Sequence, residues 1–337
     1  MVVRYVLDDY YLAITFLVSL GLQATLFVAS FTLQTDKLTD FAGALGFLTL
    51  ALLSFLLGNE INFNARNIIA TVFVLVWAVR LGGFLLFRVL KTGGDSRFDE
   101  IRSSIVKFGF FWFSQALWGW TVSLPLTILN SPRVSDPTRG GGRLAFGTAG
   151  DIIGIILFVI GFAFEVMADQ QKFMFKSRKP PRGAINDKGV WKWTRHPNYF
   201  GEITLWWGIY ALCVSPATHD VVSGGGKRAL EASVIGPIFI TLLLMFASGV
   251  PTAEKPTAKK YYLMSHGADR EAGDKWAEYK AYLNRTSILF PIPNSLYRPL
   301  PKAVKQYLLL DLPMYKFDEH KDGPEAVEEE RKKRSRV

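Results

Sequence analysis

Apolar runs of about 20 residues, separated by polar stretches, recur through the first 250 positions of this chain and constrain its fold more than any other feature. A helix rises about 1.5 Å per residue, so each run is long enough to cross the hydrocarbon core of a bilayer. Length decides less: 337 residues, half of them hydrophobic, would suit two soluble domains or one polytopic membrane domain. The distribution of the apolar residues selects the second. It predicts an all-α membrane protein with about seven spans, near Tyr11–Leu33, Phe41–Leu57, Ile68–Val89, Phe108–Leu129, Gly150–Ala168, Tyr199–Val214 and Val234–Val250.

Asp8 and Asp9 precede the first run, which is also too long for the core of a cleaved signal peptide, so it is expected to remain as an anchor. Basic residues then set the orientation, because they accumulate in short cytosolic loops. Lys91, Arg97, Arg102 and Lys107 follow the third run, and the segment from Lys172 to Arg195 after the fifth is richer still. The intervening loops are poorer. This places the amino terminus outside or in a lumen and the carboxyl terminus in the cytosol.

The net charge of +10 sits mostly on these membrane-adjacent loops, which points to anionic headgroups or a phosphorylated cofactor instead of nucleic acid. Cys213 is the sole cysteine and lies in a span, so no internal disulfide can form. The four histidines show no metal-ligand spacing, and no metal site is expected. Gly140–Gly142 and Gly224–Gly226 read as flexible spacers, since no strand precedes them and no Gly-Lys-Ser/Thr follows. The domain plan is one membrane-embedded unit over 1–295, with a carboxyl-terminal half over about 150–293, and a polar tail over 296–337. Within it, Asp274–Asn284 has the periodicity of an interfacial helix carrying Trp276, Tyr279, Tyr282 and Leu283 near one face, and the mixed-charge stretch Asp318–Val337 reads as disordered.

Ionisable groups inside apolar runs carry the chemical signal, because each costs roughly 2.5–3.5 kcal/mol at mid-bilayer unless it faces a partner or a polar cavity. Arg80 and Arg88 lie in the third run, Glu165 and Asp169 end the fifth, and Asn198 and Glu202 open the sixth. Glu165 with Asp169, and Asn198 with Glu202, are four apart and share a helix face. Directly before the sixth run stands Arg195-His196-Pro197-Asn198-Tyr199. Proline suits a helix start, the first-turn amides suit an anion, and arginine adds a forked donor. The stretch reads as the rim of a site for an anionic ligand.

RHPNY followed by FGE and a tryptophan-rich run, after EVMADQQKF and before SGVP and YKAYLNRTSILFPIP, resembles the steroid 5α-reductase-like membrane family, in particular its branch of unknown function. RLGGFLLFR, DSRFDEIR and QALWGW add to the likeness, which runs from about Trp77 to Pro293. The resemblance implies a seven-helix membrane reductase that uses NADPH to reduce a carbon–carbon double bond conjugated to a carbonyl in a sterol- or lipid-like substrate. It is expected in the endoplasmic reticulum membrane if the source is eukaryotic, with membrane lipids as its surroundings and no obligate protein partner. Carried over by motif, Asn198 and Glu202 hold the carboxamide, Glu165 and Asp169 contact the ribose or pyrophosphate region, and Arg195 with Lys172 balances phosphate. His196 and Tyr199 complete the cofactor rim, and Tyr279 and Arg285 close its cytosolic side.

Glu60 and Arg80 fall on the catalytic side of the resemblance. There the chain departs from its steroid-reducing relatives, with Trp77 standing where they place a tyrosine, and an indole cannot pass a proton as a phenol does. Two other classes therefore stay open. RHP-x-Y also occurs in membrane methyltransferases that use S-adenosylmethionine; these carry adjacent glutamates after the last span, and the Glu254-Lys255 found here departs from that pattern and, with the Glu165 and Asp169 segment, favours the reductase. The other is a non-catalytic sterol- or lipid-binding protein.

Overall fold

The apolar runs impose helix wherever they occur. The computed structural model describes residues 5–35, 38–58, 62–92, 101, 103–268 and 270–335. In chain order its α-helices are α1 (Leu12–Thr32), α2 (Thr39–Leu57), α3 (Ala65–Thr92), α4 (Ile105–Leu129), α5 (Pro132–Ser135), α6 (Ala149–Ser177) and α7 (Pro197–Thr218). They continue with α8 (Gly224–Ala232), α9 (Ile235–Leu242), α10 (Val250–His266), α11 (Lys275–Arg285), α12 (Asn294–Tyr297) and α13 (Asp322–Arg334). Among the described residues there is no strand, only the isolated bridges Val6 to Asp8 and Thr194 to Ser287.

All seven expected runs are helical. Among the described residues four helical stretches are long and apolar enough to cross a membrane: α1, α3, α6 and the run Gly224–His266. Phe41–Leu57 is a shorter apolar stretch. Two runs differ in extent from expectation. α6 continues past Ala168 to Ser177, so Asp169 and Lys172 are helical. The last run is broken by a π-helical turn at Leu243–Ala247. Gly249 follows that turn because a Cβ there would lie 2.2 Å from the carbonyl oxygen of Leu244.

The chain divides into two compact units, residues 1–159 with 205–240, and residues 160–204 with 241–337. In the first, α1 to α4 pack together around aromatic rings. Phe47 meets Trp77, Trp118 and Trp206 at centroid distances of 4.9, 4.9 and 5.3 Å. Trp77 is thus fully buried packing. This unit also encloses a polar knot: Arg66 is bound to Asp151 at 2.8 Å through two nitrogens and donates to the carbonyls of Leu144 and Ala145. Both lone-pair regions and donors of that pair are thereby occupied, which is what a buried ion pair requires.

In the second unit α11 packs on α10. The side chain of Asp274 caps α11 by accepting from Ala277 N at 3.0 Å, and Tyr279 stacks on Tyr261 with centroids 4.3 Å apart. The amphipathic face expected to lie on a membrane is therefore spent on protein: Trp276, Tyr279 and Tyr282 are buried against α10, and Leu283 packs beside them. A second cluster joins Met245, Val250, Ile288, Leu289 and Tyr315. The final segment also departs from expectation. Most of the stretch read as disordered is α13, which buries Ala326, salt-links Glu329 to Lys259 and accepts from Ala268 N through Glu330 at 3.0 Å. Small and acidic side chains spaced along one helical face give α13 a docking edge despite its polar composition.

Candidate functional site

The Arg195-His196-Pro197 turn is fixed from the backbone outward. Arg195 N donates to Ser287 O at 2.8 Å, Thr194 Oγ1 donates to Ile288 O at 3.2 Å, and His196 N donates to Thr194 Oγ1 at 3.2 Å. Pro197 then begins α7, a position where its missing N–H costs nothing. With the main chain held on both sides, the side chains of Arg195 and His196 have one direction to go, toward Glu254 on α10.

Glu254 receives both. Arg195 Nη1 donates to Oε2 at 2.5 Å, and His196 Nε2 bonds Oε1 at 2.7 Å. Arg195 Nη2 lies 2.9 Å from Asp311 Oδ1, an ion-pair distance without hydrogen-bond alignment, and Asp311 Oδ2 accepts from Tyr297 Oη at 3.1 Å. Arg195, His196, Glu254 and Asp311 are 6, 7, 5 and 7% exposed, so these charges interact with little screening by water. Burial opposes the charge on Arg195, but Glu254 and Asp311 outweigh it and hold the guanidinium firmly protonated. For His196 burial wins over the bond to Glu254, and its pKa falls below the usual 6.5. A neutral imidazole facing an ionised carboxylate must carry its proton on Nε2. Burial likewise raises the pKa of Tyr279, Tyr282 and Tyr297 and keeps these phenols neutral.

Beside this cluster lies a cavity of about 190 Å³ whose lining includes Arg195, His196 and Glu254. Of the other residues expected in the cofactor site, Lys172, Asn198, Tyr199 and Tyr279 line it as well. Lys172 Nζ stands 5.3 Å above the ring of Trp191, and Tyr199 stacks on His196 with centroids 5.1 Å apart. Asn186 adds a buried Nδ2 that has no hydrogen-bond partner among the described residues. Arg285 lines a neighbouring cleft of about 540 Å³ and pairs with Asp187 at 2.8 Å.

Glu165, Asp169 and Glu202 are not part of the cavity lining. Glu165 is buried on α6, where Gly201 of α7 comes so close that a Cβ would meet its backbone nitrogen at 2.6 Å. The two helices touch there through backbone, which turns that contact into packing. Arg80 lies on α3 in the first unit, 5.5 Å from the centroid of the Phe84 ring. Glu60 lies outside the described residues.

Sequence reasoning missed Glu254, Asp311, Tyr297 and Asn186 as site residues. One signal was available: Asp311 is the single carboxylate between Thr286 and Phe317, set among leucines, and an acid in such surroundings needs a buried partner. Glu254 stood in view at its family position, but nothing local said that it would take both Arg195 and His196.

These features define an all-helical protein with several helices apolar enough to cross a membrane and a buried arginine–histidine–carboxylate cluster beside a small cavity. The chain belongs to the family described as "Protein of unknown function (DUF1295)", which it matches over residues 26–270. It is similar to "Uncharacterized protein C594.04c" of Schizosaccharomyces pombe, with 25% identity over 257 residues, covering 68% of this chain and 65% of that protein. No solved structure matches it. The family match includes Arg195, His196 and Glu254 and stops before Asp311.

Proposed function

We propose that the protein is a membrane reductase that binds NADPH at the Arg195–His196 cavity and reduces a carbon–carbon double bond in a lipid-like enone. The observation that carries this reading is the donor set of the cavity. Asn186 Nδ2 is buried and unpartnered, Asn198 and Lys172 stand at the lining, and Arg195 and His196 are held rigid by Glu254. An amide-bearing ring suits such a space, because an acceptor on it completes Asn186 and aromatic walls at Tyr199 and Tyr279 cover its faces. At about 190 Å³ the cavity takes one ring-sized group and not a whole dinucleotide, so the rest of the molecule would lie outside it. When bound, NADPH supplies the hydride; the chain's own residues bind and orient it, and Lys172 offers charge to a phosphate.

The reading places seven spans in the membrane, the amino terminus outside or in a lumen and the site on the cytosolic side, in the endoplasmic reticulum of a eukaryote. It takes its support from the resemblance to steroid 5α-reductase-like proteins. Steroids themselves are disfavoured as substrate, since Trp77 is packed between Phe47 and Trp206 and offers no phenol.

One observation favours a second reading. Glu254 occupies the place where the membrane methyltransferases carry adjacent glutamates, and it anchors both Arg195 and His196. Thermal unfolding of the purified protein separates the two. A ligand that binds only the folded state stabilises it by about 2.7 kcal/mol at a hundred times its Kd. Stabilisation by NADPH supports the reductase, stabilisation by S-adenosylmethionine alone supports the methyltransferase, and stabilisation by a sterol alone supports a non-catalytic binder.

A further inference from the structure

Downstream of α11 the chain builds a small lobe, residues 294–316, that is hydrogen-bonded to neighbouring segments and carries several exposed apolar side chains. It is braced by bonds within itself and anchored at Asn284 and Met245. Tyr297 Oη donates to Asp311 at 3.1 Å, Lys305 Nζ donates to the carbonyls of Arg298 and Asn284 at 3.1 Å each, and Tyr315 Oη donates to Met245 O at 2.7 Å. Met245 belongs to the long apolar run Gly224–His266, so the lobe is fastened directly to a stretch capable of crossing a membrane.

The lobe also carries large apolar groups in exposed positions. Leu296, Tyr307 and Leu308 are 62, 75 and 71% exposed, and Met314 is half exposed. Exposing such residues on a rigid, well-anchored lobe is unfavourable in water and favourable at a bilayer surface, where tyrosine and leucine are both at home. Charge points the same way. Residues 286–310 contain no Asp or Glu, while Arg298 and Lys302 are exposed within that stretch and Lys316 is exposed just after it. A cationic and apolar surface matches the headgroup region of an anionic leaflet.

We propose that the 294–316 lobe is a membrane foot, seating Leu296, Tyr307, Leu308 and Met314 in the bilayer interface with Arg298, Lys302 and Lys316 on lipid phosphates. The proposal rests on the membrane reading of the apolar helices and is independent of the cofactor. A partner protein would also cover an apolar surface. The bilayer is favoured because the lobe is bolted to an apolar run at Met245 and because its exposed charges, Arg298, Lys302 and Lys316, are all positive, Asp311 being buried.

The test uses the full chain in nanodiscs made of phosphatidylcholine alone or of an equal mixture with phosphatidylserine. Cys213 is fully buried, so an environment-sensitive dye goes to the thiol of Leu308→Cys, or of Glu328→Cys on α13 as a control. Quenching by acyl-brominated lipid is expected at position 308, stronger with phosphatidylserine, and not at position 328. In the mixed nanodiscs, Arg298→Ala with Lys302→Ala is expected to lower the docked-to-free ratio roughly fivefold per cation removed. A water-like, unquenched label at 308 overturns the foot while leaving the membrane reading intact. A shielded label that brominated lipid does not quench assigns the surface to protein and also overturns it. Failure of the chain to incorporate into nanodiscs at all removes both the membrane reading and the foot.

Discussion

His196 and Glu254, 58 positions apart, meet through a 2.7 Å bond from the imidazole Nε2 to Oε1, while the other oxygen of the same carboxylate takes Arg195. One glutamate thus orients the two side chains that sequence alone places at the head of α7. Around it, charge and hydrogen bonding are arranged so that a ligand entering the cavity meets fixed groups.

Removing that carboxylate leaves the buried guanidinium with Asp311 alone. Breaking a buried pair by deleting one partner costs on the order of 3–5 kcal/mol. Glu254→Ala is therefore expected to lose that much stability in chemical denaturation in detergent, and Glu254→Gln, which keeps the volume but not the charge, to lose most of it. A change within the range of surface substitutions, about 0.5 kcal/mol, would mean the cluster contributes nothing to the folded state.

Acid should weaken the protein through His196. Its folded pKa lies below 6.5, so between the two values the unfolded chain binds the extra proton. The contribution is fully present above about 6.5 and is lost as the pH falls through the lower, folded value. Thermal midpoints measured across this range are expected to decline on the acid side in the wild type and to decline less steeply in His196→Gln. Parallel curves for the two proteins would count against a buried neutral imidazole.

Gly201 faces the backbone of α6 with no room for a methyl group: a Cβ would sit 2.6 Å from Glu165 N and from Gly161 O. Gly201→Ala must push the helices apart and is expected to cost about 1–3 kcal/mol. The same substitution at Gly83, where nothing lies within 4 Å, is expected to be neutral or mildly stabilising. Equal thermal midpoints for the two variants would show that the helix approach at Gly201 is not tight.

Ligand affinity tests the cavity separately from stability. Losing a hydrogen bond to a charged group costs about 1.5–3 kcal/mol, roughly a ten- to hundredfold loss of affinity. Lys172→Ala is expected to weaken NADPH binding by that factor in titration calorimetry, and Asn198→Ala, whose bond to the carboxamide joins two neutral groups, by about two- to tenfold. Glu202→Ala is expected to weaken it as well on the carboxamide assignment. His219→Ala, whose ring bonds Ser215 O and Thr218 in the other unit, should bind as wild type. If Glu202→Ala and His219→Ala behave alike, the carboxamide role of Glu202 is lost while Lys172 and Asn198 can still define the pocket.

Apolar run length and spacing are local properties, so the helices were legible in the residues alone, as was the Arg195–Tyr199 turn as polar chemistry at a helix start. Lys172, Asn198 and Tyr279 also came into consideration for one site. Which partners those groups take depends on long-range packing. Glu254 and Asp311 reach Arg195 from distant segments, while Glu165 and Glu202 lie outside the lining of the cavity. Periodicity likewise showed that α11 has an apolar face without saying what covers it. Membrane and protein reward the same pattern of side chains, and docking against α10 settled the choice.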